Sequence, residues 1–453
     1  MELYEYQKED VAFLKQWGRS MNMSEMGVGK TPTAVRLLEE LNGLPGLIVC
    51  PSAVKYHWEE QIKTFWKGED KPKVYQYRGK PEERRQIDAK DGVLVVNYEL
   101  FRQDFDEYFK TKAFKMTIFD EAHRLKNRTA KVTKCAYKLK TEYIHLVTGT
   151  PITNQFDDLY SYLHLLFPSQ FKNYWKFVYR YGIVRSNGFG KEIQGLNPER
   201  ANELGSILRQ FTVRRKKADV LPFLPDKTYS TIYVDLLPEQ RRIYEDLRDF
   251  MLAELETGDN IEVPSIIAQL MKLRQVALST SLVGEGKEYS AKKQALLEIL
   301  QDRIMAGKKT VVMSEFKRWI DNLEETLNQK GMKAVRLTGQ EKDVQKQQAV
   351  KQFQEGDADV ILCTIKAAGT GIDLTAADMM IFTDISWTDV DNRQAEDRIH
   401  RASQTKKVQI VKLFAKETID DVMLNRTLIK ALTAQHILDQ EQKEALVQML
   451  KRG

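Results

Sequence analysis

Cysteine is scarce in this chain: three residues, Cys50, Cys135 and Cys363, are spread over 453 positions. Their wide spacing rules out a disulfide framework and a zinc site, and two of them sit inside apolar strand-like runs, where a reduced thiol acts as a small hydrophobe. No apolar run approaches the roughly 20 residues that a membrane span needs. The opening Met1-Glu2-Leu3-Tyr4-Glu5 is acidic and polar, unlike a secretion signal, so the expectation is a protein made and kept in the cytosol, with no membrane partner. Low-complexity tracts and Gly/Ser linkers are absent, which excludes long disordered segments. What remains is an ordinary soluble balance of 42% hydrophobic and 30% charged residues. A chain of this length has room for two or three domains with buried cores. The net charge of +6 (70 Lys and Arg against 64 Asp and Glu) is compatible with a polyanionic partner. Most of these charges are expected to be solvated surface.

The apolar pattern divides the chain. Up to residue 155, short β-branched runs alternate with helical stretches: Gly46 to Cys50, Val93 to Val96, Met116 to Phe119 and His145 to Thr148. That rhythm implies βαβ units and a parallel sheet covered by helices. A second set follows late in the chain, at Thr310 to Met313, Ala334 to Leu337, Val360 to Cys363, Met379 to Phe382 and Val408 to Leu413. Between them, apolar residues recur at helical spacing, as in Leu159, Tyr162, Leu163 and Leu166 and again in Ile266, Ile267, Leu270 and Leu273. A strand at Thr228 to Val234 and a proline-marked crossover at Leu221 to Pro225 are the exceptions. The expected parse is an α/β lobe over 1–155, helical insertions and an inter-lobe linker over 156–290, a second α/β lobe over 291–416, and a helical tail over 417–453 that braces the lobes.

Chemistry first shows at Met26-Gly27-Val28-Gly29-Lys30-Thr31, ahead of an apolar helix beginning near Pro32. A glycine-rich loop lets backbone N–H groups approach phosphate oxygens, and the helix N-terminus adds its positive dipole end. Lys30 can then reach the β- and γ-phosphates, and Thr31 can hold Mg²⁺. Ser24 stands where the usual pattern has its first glycine. About 90 residues further on, Asp120-Glu121-Ala122-His123 follows the apolar run Met116 to Phe119, so both acids fall at a strand's C-terminal end. Asp120 fits a partner of Mg²⁺, and Glu121 a base that orients and deprotonates an attacking water.

With these in place, the chain resembles a known family over nearly its whole length: the Swi/Snf type of superfamily 2 helicase-like ATPases. Tyr4 to Gln7 looks like the adenine-reading glutamine element, Met26 to Thr31 like motif I, and Val49 to Ser52 through Trp58 like motif Ia. Asn97-Tyr98 looks like motif Ib, Asp120 to His123 like motif II, and Thr148-Gly149-Thr150-Pro151 like motif III. Phe211 to Leu221, Leu224 to Lys227 and Leu270 to Gln275 are similar to blocks that separate this type from DEAD-box RNA helicases. Thr364 to Leu374 is similar to motif V, and Trp387, Gln394 to Arg401 and Gln404 to motif VI. Ser403 stands where the family usually has Gly, Ala368 replaces a Gly, and Asp373 a common Asn.

The resemblance implies two tandem RecA-like parallel-sheet lobes, a helical insertion between them and a C-terminal helical brace. It also implies ATP and Mg²⁺ as cofactors. In that reading ATP is held by Gln7, by Met26, Gly27, Val28, Gly29, Lys30 and Thr31, and by Gly371 and Asp373. Mg²⁺ is held by Thr31 and Asp120. Catalysis falls to Lys30, Asp120 and Glu121, with Arg398 and Arg401, three positions apart on an expected helix, as arginine fingers from the second lobe. Thr148 to Thr150 couples the γ-phosphate to lobe closure. DNA runs past Ser52, Lys55, Tyr98, Thr150, Ser314, Thr364, Lys366 and Trp387, whose hydroxyls, amides and lysines contact phosphate without reading bases. Trp387 either stacks on a base or fills core. The cluster Arg214 to Lys217 either contacts phosphate or acts as latches organising the lobes, the latch being preferred for Arg214 and Arg215.

The expected activity is DNA-stimulated ATP hydrolysis driving movement along duplex or branched DNA, in replication, recombination or repair. Alternatives are a strand-separating DNA or RNA helicase, the motor subunit of a nuclease or restriction complex, and a non-enzymatic DNA-binding scaffold. The absence of flanking zinc or histone-reading segments suggests a minimal motor of bacterial or phage origin, working as a monomer. Replication, recombination or nuclease proteins are its expected partners.

Overall fold

The first of two sheets is built from seven parallel strands, in the order β3-β4-β2-β5-β6-β1-β9. These are β1 (Arg19–Asn22), β2 (Gly46–Cys50), β3 (Lys73–Gln76), β4 (Gly92–Asn97), β5 (Ala113–Asp120), β6 (Lys140–Val147) and β9 (Thr212–Val213), with β7 (Gly182–Ser186) and β8 (Lys191–Leu196) forming a separate antiparallel ribbon. The computed structural model describes residues 2–149, 156–186, 191–257, 263–284, 286–341, 343–368, 372–423 and 440–452. Every residue of β2 is buried, as a strand covered by helices on both faces requires. Trp58 and Ile62 of helix Lys55–Phe65 and Leu37 and Leu38 of helix Lys30–Glu40 close one face, and all four are fully buried.

The second sheet is also wholly parallel, in the order β10-β15-β14-β11-β13-β12. Its strands are β10 (Lys227–Val234), β11 (Thr310–Ser314), β12 (Ala334–Leu337), β13 (Val360–Thr364), β14 (Met379–Phe382) and β15 (Val408–Ala415). The expected α/β class with two parallel sheets is what the chain adopts. It divides between Pro222 and Phe223 into two compact units. The strand foreseen near Thr228 belongs to the second sheet, paired with β15 from Lys227↔Val408 to Val234↔Ala415.

The middle of the chain is shared by the two units. Helices Asp158–Leu166, Tyr174–Tyr181 and Pro198–Phe211 bury Leu159, Leu163, Phe177 and Leu204 in the core of the first. Helices Pro238–Thr257 and Val263–Leu278 bury Tyr244, Met251, Leu270 and Leu273 against the second sheet. The β7–β8 ribbon corrects the expectation of an all-helical stretch there apart from the strand near Thr228. Only Val184 and Ile193 of the ribbon pack on the core, while Ile183 and Leu196 stay exposed, so its apolar alternation is too weak to see. Towards the end of the chain, helix Gln440–Arg452 places Leu446 and Leu450 in the second core. Among the described residues no helix is long and apolar enough to cross a membrane.

Strand register sets up the site. In the first sheet β5, β6 and β1 are neighbours, with Asp120 opposite Val147 and Val147 opposite Asn22. Three chain segments that are far apart in sequence therefore leave the sheet side by side, at the C-terminal edge where parallel sheets place their ligands.

Candidate active site

The glycine-rich loop hangs between β1 and helix Lys30–Glu40. Gly27 and Gly29 hold φ of 81° and 78°, left-handed values that favour glycine. At Gly29 a Cβ would lie 2.1 Å from Gln7 Nε2, so only glycine admits the glutamine here. Gln7 itself is buried and its amide points at the carbonyls of Val28 (3.3 Å) and Gly29 (3.4 Å). The Tyr6 hydroxyl also donates to the Val28 carbonyl, at 2.8 Å. Helix Glu5–Lys15 thus carries two side chains that grip the loop.

Lys30 folds its ammonium over the loop, donating to the carbonyls of Ser24 (3.0 Å) and Glu25 (2.9 Å). Ser24 answers for its place in the glycine pattern: it is buried, its N–H donates to Asn22 Oδ1 at 3.0 Å, and its hydroxyl accepts the Arg215 N–H at 3.0 Å. Arg215 is a latch within the first unit. Its side chain lies 2.7 Å from Asp10 and 3.1 Å from Glu9, both on the helix that carries Gln7. The segment after β9 therefore ties the front of the loop to that helix.

Asp120 closes β5. Its Oδ2 accepts Trp58 Nε1 at 2.9 Å and its Oδ1 accepts the Glu121 N–H at 2.9 Å. Desolvation and the adjacent Glu121 push its carboxyl up to about 6, while Trp58 and the Lys30 ammonium pull the other way. Lys30 and Asp120 thus sense each other's charge across the site. Glu121 takes a left-handed φ of 51°, a strained state for a non-glycine residue, and its Oε2 lies 3.1 Å from His123 Nδ1. The third segment arrives through Gly149, where a Cβ would stand 2.8 Å from Met26 and 3.5 Å from Lys30 Nζ. The expected residues Gln7, Met26, Gly27, Val28, Gly29, Lys30, Asp120 and Glu121 are thereby gathered around one loop, with Thr31 in the first turn of the helix behind it.

These residues suit a nucleotide with Mg²⁺. The loop offers N–H groups and a lysine to phosphate, and Asp120 and Thr31 offer oxygen donors, the hard ligands that Mg²⁺ takes. No group of three or more His, Cys, Asp or Glu side chains placed to hold a metal occurs among the described residues.

Trp58 was visible in sequence only as part of a motif, and its hold on Asp120 appears only when helix Lys55–Phe65 packs beside β5. Tyr98, expected along the DNA path, is instead 3% exposed and donates its hydroxyl to the Asp120 carbonyl at 2.7 Å.

In the second unit, Ser314 and Thr364 lie opposite each other at the ends of β11 and β13. Arg274, inside the Leu270 to Gln275 block, organises this edge. It is 2% exposed, donates to Glu315 Oε2 at 2.8 Å and to the Ile385 carbonyl at 2.6 Å, and faces Asp384 Oδ1 at 3.4 Å. Asp384 in turn accepts the Ser314 hydroxyl, and the Arg274 guanidinium lies 5.1 Å from the Trp387 ring and 5.2 Å from that of Phe316. Lys55, Ser314 and Thr364 are buried, Trp387 is half-buried, and Ser52 and Lys366 are exposed. Thr150 and Gly371 lie outside the described residues.

Arg398 and Arg401 do not share a helix. Helix Asp389–Glu396 stops before them, because tertiary bonds replace its ladder: the Leu374 N–H takes the Arg398 carbonyl at 2.9 Å, and Gln404 Nε2 takes the carbonyls of Ile399 and Ala377, each at 2.9 Å. Burial lowers the Arg401 pKa, and Asp373 and Asp397 oppose that shift. Asp373 accepts the Ser403 hydroxyl at 3.2 Å, so two positions that depart from the family pattern are each other's partners.

The SNF2-related domain matches residues 6–282 and the helicase conserved C-terminal domain residues 291–403. Uncharacterized ATP-dependent helicases of Mycoplasma pneumoniae and Mycoplasma genitalium are 29% and 30% identical to it, each over 92% of this chain and 40% of their own length. The chromodomain-helicase-DNA-binding protein 1-like of Danio rerio is 29% identical over 92% of this chain and 41% of its own. The chain spans about two fifths of the length of these curated relatives. Among solved structures it is similar to the Sulfolobus solfataricus SWI2/SNF2 ATPase core in complex with dsDNA, at 24% identity and a TM-score of 0.47, over 100% of this chain and 97% of that one. With a glycine-rich loop, an Asp-Glu pair and the segment after β6 meeting at one sheet edge, and a SNF2-related domain over most of its length, this chain belongs to the SNF2-related family of ATP-dependent, helicase-like proteins.

Proposed function

We propose that this chain hydrolyses ATP in response to DNA and uses the energy to translocate on duplex or branched DNA, remodelling DNA structures or bound proteins in replication, recombination or repair. The observation that carries the reading is that Lys30, on the loop that follows β1, lies within reach of the charge of Asp120 and Glu121 at the end of β5, with β6 between the two strands and Gln7 held on the same loop. The curated relatives described as ATP-dependent helicases and as a DNA-binding helicase support the nucleotide and the DNA partner.

In this mechanism the loop N–H groups and Lys30 bind and orient the phosphates. Thr31 and Asp120 would hold Mg²⁺, which would supply positive charge to the phosphoryl oxygens. Glu121, which takes a left-handed backbone state just past the end of β5, orients the attacking water and takes its proton. Gln7, anchored through Arg215 and Asp10, reads the adenine edge. Arg398 and Arg401 serve as the arginine fingers, which in such enzymes are worth on the order of a thousandfold in rate. Ser52, Lys366 and Trp387 are available to DNA, while Tyr98 and Ser314 act by positioning Asp120 and Asp384.

The test is ATP hydrolysis measured without nucleic acid and with single-stranded, duplex and forked DNA and with RNA. Duplex or forked DNA should raise the rate at least about tenfold, and Lys30→Ala and Glu121→Gln should abolish it. Hydrolysis indifferent to every DNA would end the translocase reading. Strand displacement on the fork would favour the strand-separating alternative.

A further inference from the structure

Away from the nucleotide loop, the first unit carries an aromatic and basic face that no part of the mechanism uses. Helix Tyr174–Tyr181 buries Phe177, Val178 and Tyr181, and leaves Trp175 39% and Tyr179 52% exposed on the turn-spaced opposite side. Their rings are 5.8 Å apart and 34° from parallel. Lys191, at the start of β8, holds its ammonium 5.3 Å from the Trp175 ring and 5.0 Å from the Tyr179 ring. Beside them opens a cavity of about 310 Å³, with Arg128, Tyr160, Lys172 and Tyr174 in its wall. The Arg128 guanidinium lies 3.9 Å from the Tyr174 ring.

The charge on this face leans positive. Asp157 accepts the Tyr174 hydroxyl at 2.7 Å and keeps its charge, and Glu203 is paired with Arg180 and Arg200. Arg128, Lys172 and Lys191 have no carboxylate partner among the described residues. Three cations outside any direct ion pair, around exposed aromatic rings, offer sites for an anion beside a π-surface. A duplex can satisfy only the first, because its base faces are already stacked. An unpaired strand satisfies both, with phosphates on the cations and bases on Trp175 and Tyr179, and no sequence need be read.

We propose that this face binds an unpaired nucleic-acid strand, as at the open arm of a branched DNA. Arg128 stands eight positions after Asp120 on the segment that leaves β5, so the site sits on the same stretch of chain as the proposed Mg²⁺ ligand. The proposal rests on the DNA-motor reading only for its choice of a branched substrate.

The experiment is fluorescence anisotropy without nucleotide, using a fork with single-stranded arms, the same duplex with blunt ends, oligo(dT) and oligo(U). Replacing both rings, Trp175→Ala with Tyr179→Ala, should weaken binding of the fork and of the single strands at least about fivefold while leaving the blunt duplex within about twofold. Trp175→Phe should restore most of the affinity. Lys191→Glu, at an exposed position, should weaken the fork and flatten its salt dependence. Oligo(U) bound as well as oligo(dT) would assign the site to either nucleic acid, and preference for one would name the source. Unchanged fork binding in the ring variants, or an equal loss on the blunt duplex, overturns the proposal. Hydrolysis stimulated by blunt duplex is measured in parallel: its failure with arm binding intact sinks the motor reading alone, and its success with arm-independent binding sinks this site alone.

Discussion

Trp58 Nε1 donates a 2.9 Å hydrogen bond to Asp120 Oδ2, which makes a fully buried indole the support of the acid expected to hold Mg²⁺. Trp58→Phe keeps most of the packing and deletes the donor. Losing a hydrogen bond to a charged group costs about 1.5–3 kcal/mol, and the smaller ring leaves a void. We expect a folded protein with a lowered melting temperature and a kcat for ATP reduced about tenfold or more, with a smaller change in KM. Steady-state kinetics beside a thermal melt will show it, and an unchanged kcat would mean that Asp120 needs no such support.

Arg215 governs the other side of the loop. Arg215→Ala would leave Asp10, 2% exposed, without its cation and would free the helix that carries Gln7 from its side-chain anchor, while the backbone N–H of residue 215 would still donate to Ser24. Because the Arg215 side chain is itself one-third exposed, the stability cost should be about 1–3 kcal/mol rather than the larger value of a fully buried pair. KM for ATP should rise more than kcat falls. Isothermal titration with a non-hydrolysable ATP analogue would separate the two, and unchanged nucleotide affinity would deny the anchoring role.

In the second unit, Arg274→Ala would strand Asp384 and Glu315 together. Asp384 is buried, and desolvation already raises its pKa against the pull of Arg274. Removing one partner of such a buried set costs about 3–5 kcal/mol. Urea denaturation should show that loss, and Arg274→Lys should recover only part of it, since an ammonium cannot reproduce the forked contact to Glu315 and the Ile385 carbonyl.

A pH dependence follows from His145, fully buried in β6 with Nδ1 3.0 Å from the Ser20 hydroxyl of β1. Burial lowers its pKa from 6.5 to about 3. In the unfolded chain the ring protonates below 6.5, whereas in the fold it stays neutral, so its contribution is intact above pH 6.5 and is lost as the pH falls toward 3. Between pH 7 and pH 5 this amounts to about 2 kcal/mol. In His145→Gln the difference in unfolding free energy between the two pH values should shrink by that amount. An undiminished difference would assign the acid sensitivity to other groups.

Much of the site was legible because its chemistry is local. Gly27, Gly29 and Lys30 are adjacent in the chain, and Asp120 and Glu121 end an apolar run whose length and β-branching mark a strand. β1 was not legible: Arg19-Ser20-Met21-Asn22 is polar, and it is a buried strand only because His145 satisfies Ser20 and the Ser24 N–H satisfies Asn22. The same holds for Ser403 and Asp373. As isolated departures from a pattern they had no explanation, and 30 positions apart they prove to be hydrogen-bonded to each other.

The sequence by itself determined the alternation of strand and helix, the parallel sheets, and the residue types at the phosphate loop and the acidic strand end, because period and motif chemistry act over a few neighbouring residues. The tertiary structure alone decided which side chains hold those groups in place. Arg215 on Asp10, Trp58 and Tyr98 on Asp120, and Arg274 between Glu315 and Asp384 are pairings across strands and helices. A buried polar group must find its partner wherever the fold brings one, and sequence distance carries no trace of that requirement.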